Sequence, residues 1–165
     1  MKAFIHTNRE LVGVGMLVIR LGLGILIFAH GAQKVFGAFG GMGLSATVDG
    51  MSKMLGIPPF LAYLSAFTEL LGGIAMIFGI LTRFFGIALT INMSVAVIGV
   101  HLKNGLLGPG GAEYALALGL MALAISIAGP GMLSLDHVLF KHKLHEPKRF
   151  DVPAGNAQFA EKKAV

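Results

Sequence analysis

Four long apolar runs divide this chain: Leu11–His30, Phe60–Ile80, Phe84–Leu102 and Ala112–Ala128. They hold 20, 21, 19 and 17 residues, each near the roughly 20 helical residues that cross a hydrocarbon layer about 30 Å thick. The apolar residues are continuous rather than alternating, which disfavours strands. A helix also satisfies its own backbone polar groups, as lipid requires. Water is the wrong solvent for such a chain. Of its 165 residues 55% are hydrophobic and 13% charged, and the mean hydropathy is +0.80. A soluble domain needs about a quarter of its residues charged, and one this small cannot hide so much apolar surface. The fold class expected is all-α, an integral membrane four-helix bundle over residues 1–140, with a basic, mobile tail at 141–165.

The ends of the runs carry local signals. Thr7-x-x-Glu10 has the capping-box pattern ahead of the first run. Pro58-Pro59 suits the start of the second, and Gly129-Pro130-Gly131 stops the fourth. The first run is too long for a signal-peptide core and lacks a small-residue cleavage site after it, so it reads as retained. Between the first two runs, Leu44, Val48, Met51 and Leu55 recur at helical spacing. They predict a short amphipathic helix in the first outer loop, over the mouth of the bundle. The stretch "FGAFGGMG" before it is too irregular for a phosphate-binding fingerprint.

Four crossings put both termini on one side. Nine basic residues fall there (Lys2, Arg9, Arg83, Lys141, Lys143, Lys148, Arg149, Lys162 and Lys163) against three opposite (Lys34, Lys53 and Lys103). The positive-inside rule then makes both termini cytoplasmic. The net charge of +5 suits anionic lipid rather than nucleic acid, because the basic residues are not interleaved with exposed aromatics. With no cysteine, disulfides, iron–sulfur ligation and thiol relays are excluded.

Two charges interrupt the hydrocarbon. Arg20 and Glu69 are each the tenth residue of their runs, which places both near the midplane. Charges at that depth face the bundle interior and a partner. Glycine and alanine share the face of each, as at helix contacts in membranes. An Arg20–Glu69 ion pair is therefore expected, either fixing register alone or standing beside a ligand or proton path. Asn92, also mid-membrane, is expected to hydrogen-bond between helices. A second polar group gathers at the outer end: His30, Lys34, His101 and Glu113, with Tyr114. Interfacial snorkelling accounts for Lys103 and Tyr114, whereas Lys34, His101 and Glu113 suggest an outer polar pocket. No metal is assigned. Haem would need two imidazoles facing one cavity, and His137, His142 and His145 are not at the i, i+4 spacing of a helical metal pair.

The segments "RLGLGILIFAHGAQKVFG", "TELLGGIAMIFGILTRFFG" and "GPGMLSLDH", in this order along the apolar runs, resemble the DoxX/DoxD-like family of small bacterial membrane proteins. The resemblance covers Leu17 to Leu139. It implies a four-helix bundle in the bacterial inner membrane, with Arg20, Lys34 and Glu69 at the family's polar positions. Some members resemble the membrane subunit of thiosulfate:quinone oxidoreductase. Three functions stay open: a quinone-interacting subunit of a membrane oxidoreductase complex, a small proton-coupled transporter, and a non-catalytic scaffold for a soluble partner enzyme. No cofactor motif is evident and quinone is the cofactor these readings imply; the partners are the bilayer, an oxidoreductase and further copies of the chain. A cytoplasm-dependent reporter fused at the C-terminus should be active and one fused near Gly43 inactive; the reverse would overturn the topology and the outer position of the pocket.

Overall fold

The computed structural model describes residues 9–140, which form α-helices joined by short turns. The basic tail, Thr7 of the capping box, His142 and His145 lie outside the described residues. Helix α1 runs Arg9–Phe36, α2 Leu44–Leu55, α3 Pro59–Phe78, α4 Thr82–Ala96, α5 Glu113–Ala128 and α6 Leu135–Phe140. Helices α1 and α3, and α4 with its continuation to Asn104, are long and apolar enough to cross a membrane. Helix α5, with 16 residues, is shorter and spans about 24 Å at 1.5 Å per residue. Large apolar side chains such as Val18, Ile25, Ile91, Ile98 and Ile127 point away from the protein interior. An exposed apolar surface of that extent belongs in lipid. The molecule is an all-α membrane bundle.

The sequence runs and the helices differ at their ends. Helix α1 continues six residues past His30, to Phe36, because Lys34 finds a partner inside the bundle. Helix α4 gives way at Val97 to one π-helical turn, Val97–His101, and then a 3₁₀ turn, Leu102–Asn104. Thr90 and Ser94 return their hydroxyls to the carbonyls of Gly86 and Thr90, at 2.7 and 2.8 Å. Such back-bonding bends helices, and here it precedes the π turn. The amphipathic helix expected in the first loop is α2, buried at Thr47 and Val48. The one described helix that the apolar pattern does not predict is α6.

Helix α1 packs most extensively on antiparallel α3, and α4 on α5. Glycines decide the α1–α3 register. Gly31 lies against the backbone of Leu70, and a Cβ on Gly73 would sit 2.5 Å from the Phe28 nitrogen. A Cβ on Gly24 would come within 2.9 Å of the Ile77 nitrogen. Backbone meets backbone, so no side chain can turn aside. Small residues allow this in membranes, where dispersion contacts rather than water expulsion drive helix association. The core between the pairs holds Leu23, Ile27, Met76, Leu89, Leu118 and Ile125.

Gly31→Leu or Gly73→Leu should force α1 and α3 apart and lower stability by at least the 1–3 kcal/mol typical of overpacking. Gly22→Leu, at a position with open space, should be near neutral. Unfolding measured in bicelles would compare the three, and equal losses would remove the proposed role of the crossing.

Candidate functional site

The two buried charges do not meet. Gly31 opposite Leu70, Phe28 opposite Gly73 and Gly24 opposite Ile77 set a register that, carried on, puts Arg20 level with Leu81. Glu69 lies twelve residues back from that level, about 18 Å along the axis. The expected Arg20–Glu69 pair is therefore absent, and Arg20 is not at mid-bundle. Both residues are tenth in their apolar runs, but α1 overhangs α3 at its N-terminal end.

Each charge has its own solution. Arg20, 1% exposed, sits beneath the segment after α5. Its Nη1 donates to the Pro130 carbonyl at 3.2 Å and its Nη2 to the Leu133 carbonyl at 2.6 Å. Gly79, which ends α3 with φ 70°, lies against the guanidinium, where any Cβ would collide. Helix C-termini favour a cation, and two such ends converge here. Asp136 completes the arrangement. Its carboxylate accepts from the Leu81 and Thr82 amides at 2.8 and 2.9 Å. That holds Leu81 at φ 47°, a left-handed conformation rare outside glycine, and caps α4. "GPGMLSLDH" is a strap that closes this end of the bundle.

Glu69, 2% exposed, pairs with Lys34 instead: Nζ of Lys34 donates to Oε1. Asn92 Nδ2 donates to the same oxygen at 2.9 Å, and Ser65 Oγ donates to Asn92 Oδ1 at 2.7 Å. Three helices thus share one polar cluster. The second carboxylate oxygen, Oε2, is buried without a hydrogen-bond partner.

The cluster forms the polar wall of a cavity of about 480 Å³ under α2. Met51, Met54, Leu55, Val95 and Val100 supply apolar lining, and Gln33, Thr47, Ser65 and His101 join the polar side. A second cavity of about 160 Å³ lies toward α5 and is lined by His30, Lys34, Glu69, His101 and Tyr114, among others. Lys34, Glu69 and His101 line both. His30 Nε2 is 3.3 Å from the Tyr114 hydroxyl, with the rings edge to face. His101 Nδ1 is 3.0 Å from the Gly110 carbonyl oxygen. A carbonyl only accepts, so Nδ1 carries the proton, and the neutral imidazole offers an acceptor at Nε2. The π turn delivers His101 to this place, a common use of such turns.

Of the expected pocket residues, His30, Lys34 and His101 come together. Glu113 does not line either cavity; it stands exposed at the N-terminus of α5, where the helix dipole favours a carboxylate. The sequence pairs Glu69 with Arg20 and does not bring Ser65, Thr47 and Gln33 into the pocket that they line. These are ordinary polar residues on helices, and only the crossing of α1, α3 and α4 over α2 gathers them.

Fold and site together define a small helical membrane protein with a mostly apolar cavity ending on a buried ion pair. Comparison with known proteins agrees. The chain matches the DoxX family over residues 15–102. It is 33% identical over 130 residues to "Putative oxidoreductase CatD" of Bacillus subtilis (strain 168), covering 79% of this chain and 90% of that protein. It is 30% identical over 135 residues to "Inner membrane protein YqjF" of Escherichia coli (strain K12), covering 81% and 98%. No solved structure matches it. The chain belongs to the DoxX family.

A double-mutant cycle should separate the two charges. Lys34→Met and Glu69→Gln should couple by about 0.5–3 kcal/mol, as residues in contact do. Arg20→Met and Glu69→Gln should add within about 0.5 kcal/mol. Coupling between Arg20 and Glu69 as large as that of Lys34 and Glu69 would refute the register.

Proposed function

We propose that this protein is a quinone-interacting subunit of a membrane oxidoreductase complex, set in the bacterial inner membrane with both termini cytoplasmic and the Lys34 end outward. The observation that carries the reading is the cavity under α2: a mostly apolar slot that ends on Lys34, Glu69, Asn92 and His101. Its volume of about 480 Å³ falls within the roughly 300–1,000 Å³ usual for small-molecule sites. The "oxidoreductase" in one relative's name supports the class of chemistry, and "inner membrane" in the other's supports the location.

The residues suit a quinone. Lys34 has three N–H donors; beyond the one on Glu69, the others suit a ring oxygen, where they would stabilise developing negative charge. A quinone supplies two-electron, two-proton redox chemistry, and an oxidoreductase partner would supply or take the electrons. Glu69 is the group that can hold or release a proton at the cavity wall. Glu113 lies outside the cavities. The second cavity, with His30 and Tyr114, adjoins Glu69 on its other side and offers that proton a way out. That two-sided position also favours a second reading, a proton-coupled transporter, in which Glu69 would exchange protons between the cavities without a redox partner.

Gly50 lines the large cavity with nothing near its missing side chain. Gly50→Phe should fill the slot and cut quinone occupancy of the purified protein at least tenfold, while leaving thermal stability within a few degrees. His101→Leu should weaken occupancy less. If wild type carries no quinone and takes up none on incubation, the transporter reading moves ahead.

A further inference from the structure

The polar wall of the cavity under α2 holds one buried acceptor with no donor. Glu69 Oε1 is taken by Lys34 and Asn92, but Oε2 has no partner and is buried. An ionised carboxylate accepts only, so Oε2 needs a donor. His101 Nδ1 is committed to the Gly110 carbonyl. The neighbouring side chains each commit one donor. Asn92 Nδ2 donates to Glu69, Ser65 Oγ to Asn92, and Gln33 Nε2 to the Phe39 carbonyl. Lys34, Asn92 and Gln33 keep N–H groups to give, and the Thr47 hydroxyl can give or accept, but none of them donates to Oε2. The ion pair leaves this wall without net charge.

We infer that the cavity prefers the reduced, hydroxyl-bearing form of its ligand, a hydroquinone, over the corresponding quinone, because Glu69 Oε2 is buried without a partner and needs a donor that a quinone lacks. The inference rests on the quinone reading above and adds the redox form. A hydroquinone O–H donates to Oε2 and relieves a buried orphan. Its oxygen can still accept from Lys34. A quinone carbonyl satisfies Lys34 but leaves Oε2 unpaired and sets oxygen against oxygen. The neutral wall also disfavours small inorganic anions such as thiosulfate, which would have to compete with Glu69 for Lys34. Tighter binding of the reduced form raises the potential of the bound couple, so that the site draws electrons onto the quinone relative to the free pool.

The test uses the full-length protein in detergent under anaerobic conditions, with a decyl-substituted benzoquinone and its hydroquinone as probes. Binding isotherms should show the hydroquinone about ten- to a hundredfold tighter, the range for a hydrogen bond to a charged group. Each tenfold equals about 30 mV in the two-electron potential of the bound couple. Glu69→Gln places an N–H donor at the wall and should shrink the preference to a fewfold or reverse it. If this variant does not fold, the wild-type comparison decides alone. Equal affinity of wild type for both forms, or tighter quinone, overturns the inference and leaves the quinone site standing. Binding of neither form overturns both.

Discussion

The contact between the backbones of α1 and α3 governs this molecule. Gly31, Gly24 and Gly73 let the two helices approach until main-chain atoms touch. That closeness has an axial consequence. It locks a register in which Lys34 reaches Glu69 and Arg20 is carried to the turn after α3. A shift of one helical turn, about 5.4 Å, would separate both charged side chains from their partners. Dispersion between helix backbones is therefore what permits buried charge in this bundle, and not the reverse.

The two charged sites show different answers to one constraint. A charge buried in the bundle needs partners that water no longer supplies. Arg20 has a fork of donors, so it takes two carbonyls left open where a helix and a strap end. Nothing there is mobile in the hydrogen-bonding sense, because carbonyls neither gain nor lose protons. Glu69 instead pairs with an amine and an amide, and one of its oxygens is left over. Each site keeps a buried polar atom without a partner, Arg20 Nε at the strap and Glu69 Oε2 at the cluster; the cluster differs in lying between two cavities and in carrying groups that can gain or lose a proton. The position of α2 reinforces the distinction. It lies over the Glu69 cavity between Gly43 and Gly56, whose φ angles of 77° and 64° are backbone states that glycine adopts without strain.

Much of this was legible in the chain. Apolar run length announces helices that cross lipid, because a bilayer has a fixed thickness and a helix a fixed rise. Pro59 and Gly129 punctuate them through backbone restrictions that act locally, whereas the stop at Gly79 falls inside the second run. The α2 pattern is visible because an amphipathic helix at an interface repeats its apolar residues every turn. The grouping of His30, Lys34 and His101 followed from depth alone.

Partner choice was not legible. Counting residues from the start of each run gave Arg20 and Glu69 the same depth, and opposite charge then suggested a bond. Axial offset between helices is invisible to such counting, because it depends on which glycines face which backbone. The π turn that aims His101, the strap that receives Arg20 and the company of Glu69 all depend on contacts between residues distant in the chain. The sequence by itself determined that this protein is a helical membrane bundle with charge inside, since solvent and periodicity act on each segment separately. Only the tertiary structure decided that the acid belongs to Lys34 and the arginine to backbone carbonyls, since hydrogen bonds form over a few ångströms and only packing sets distances that small.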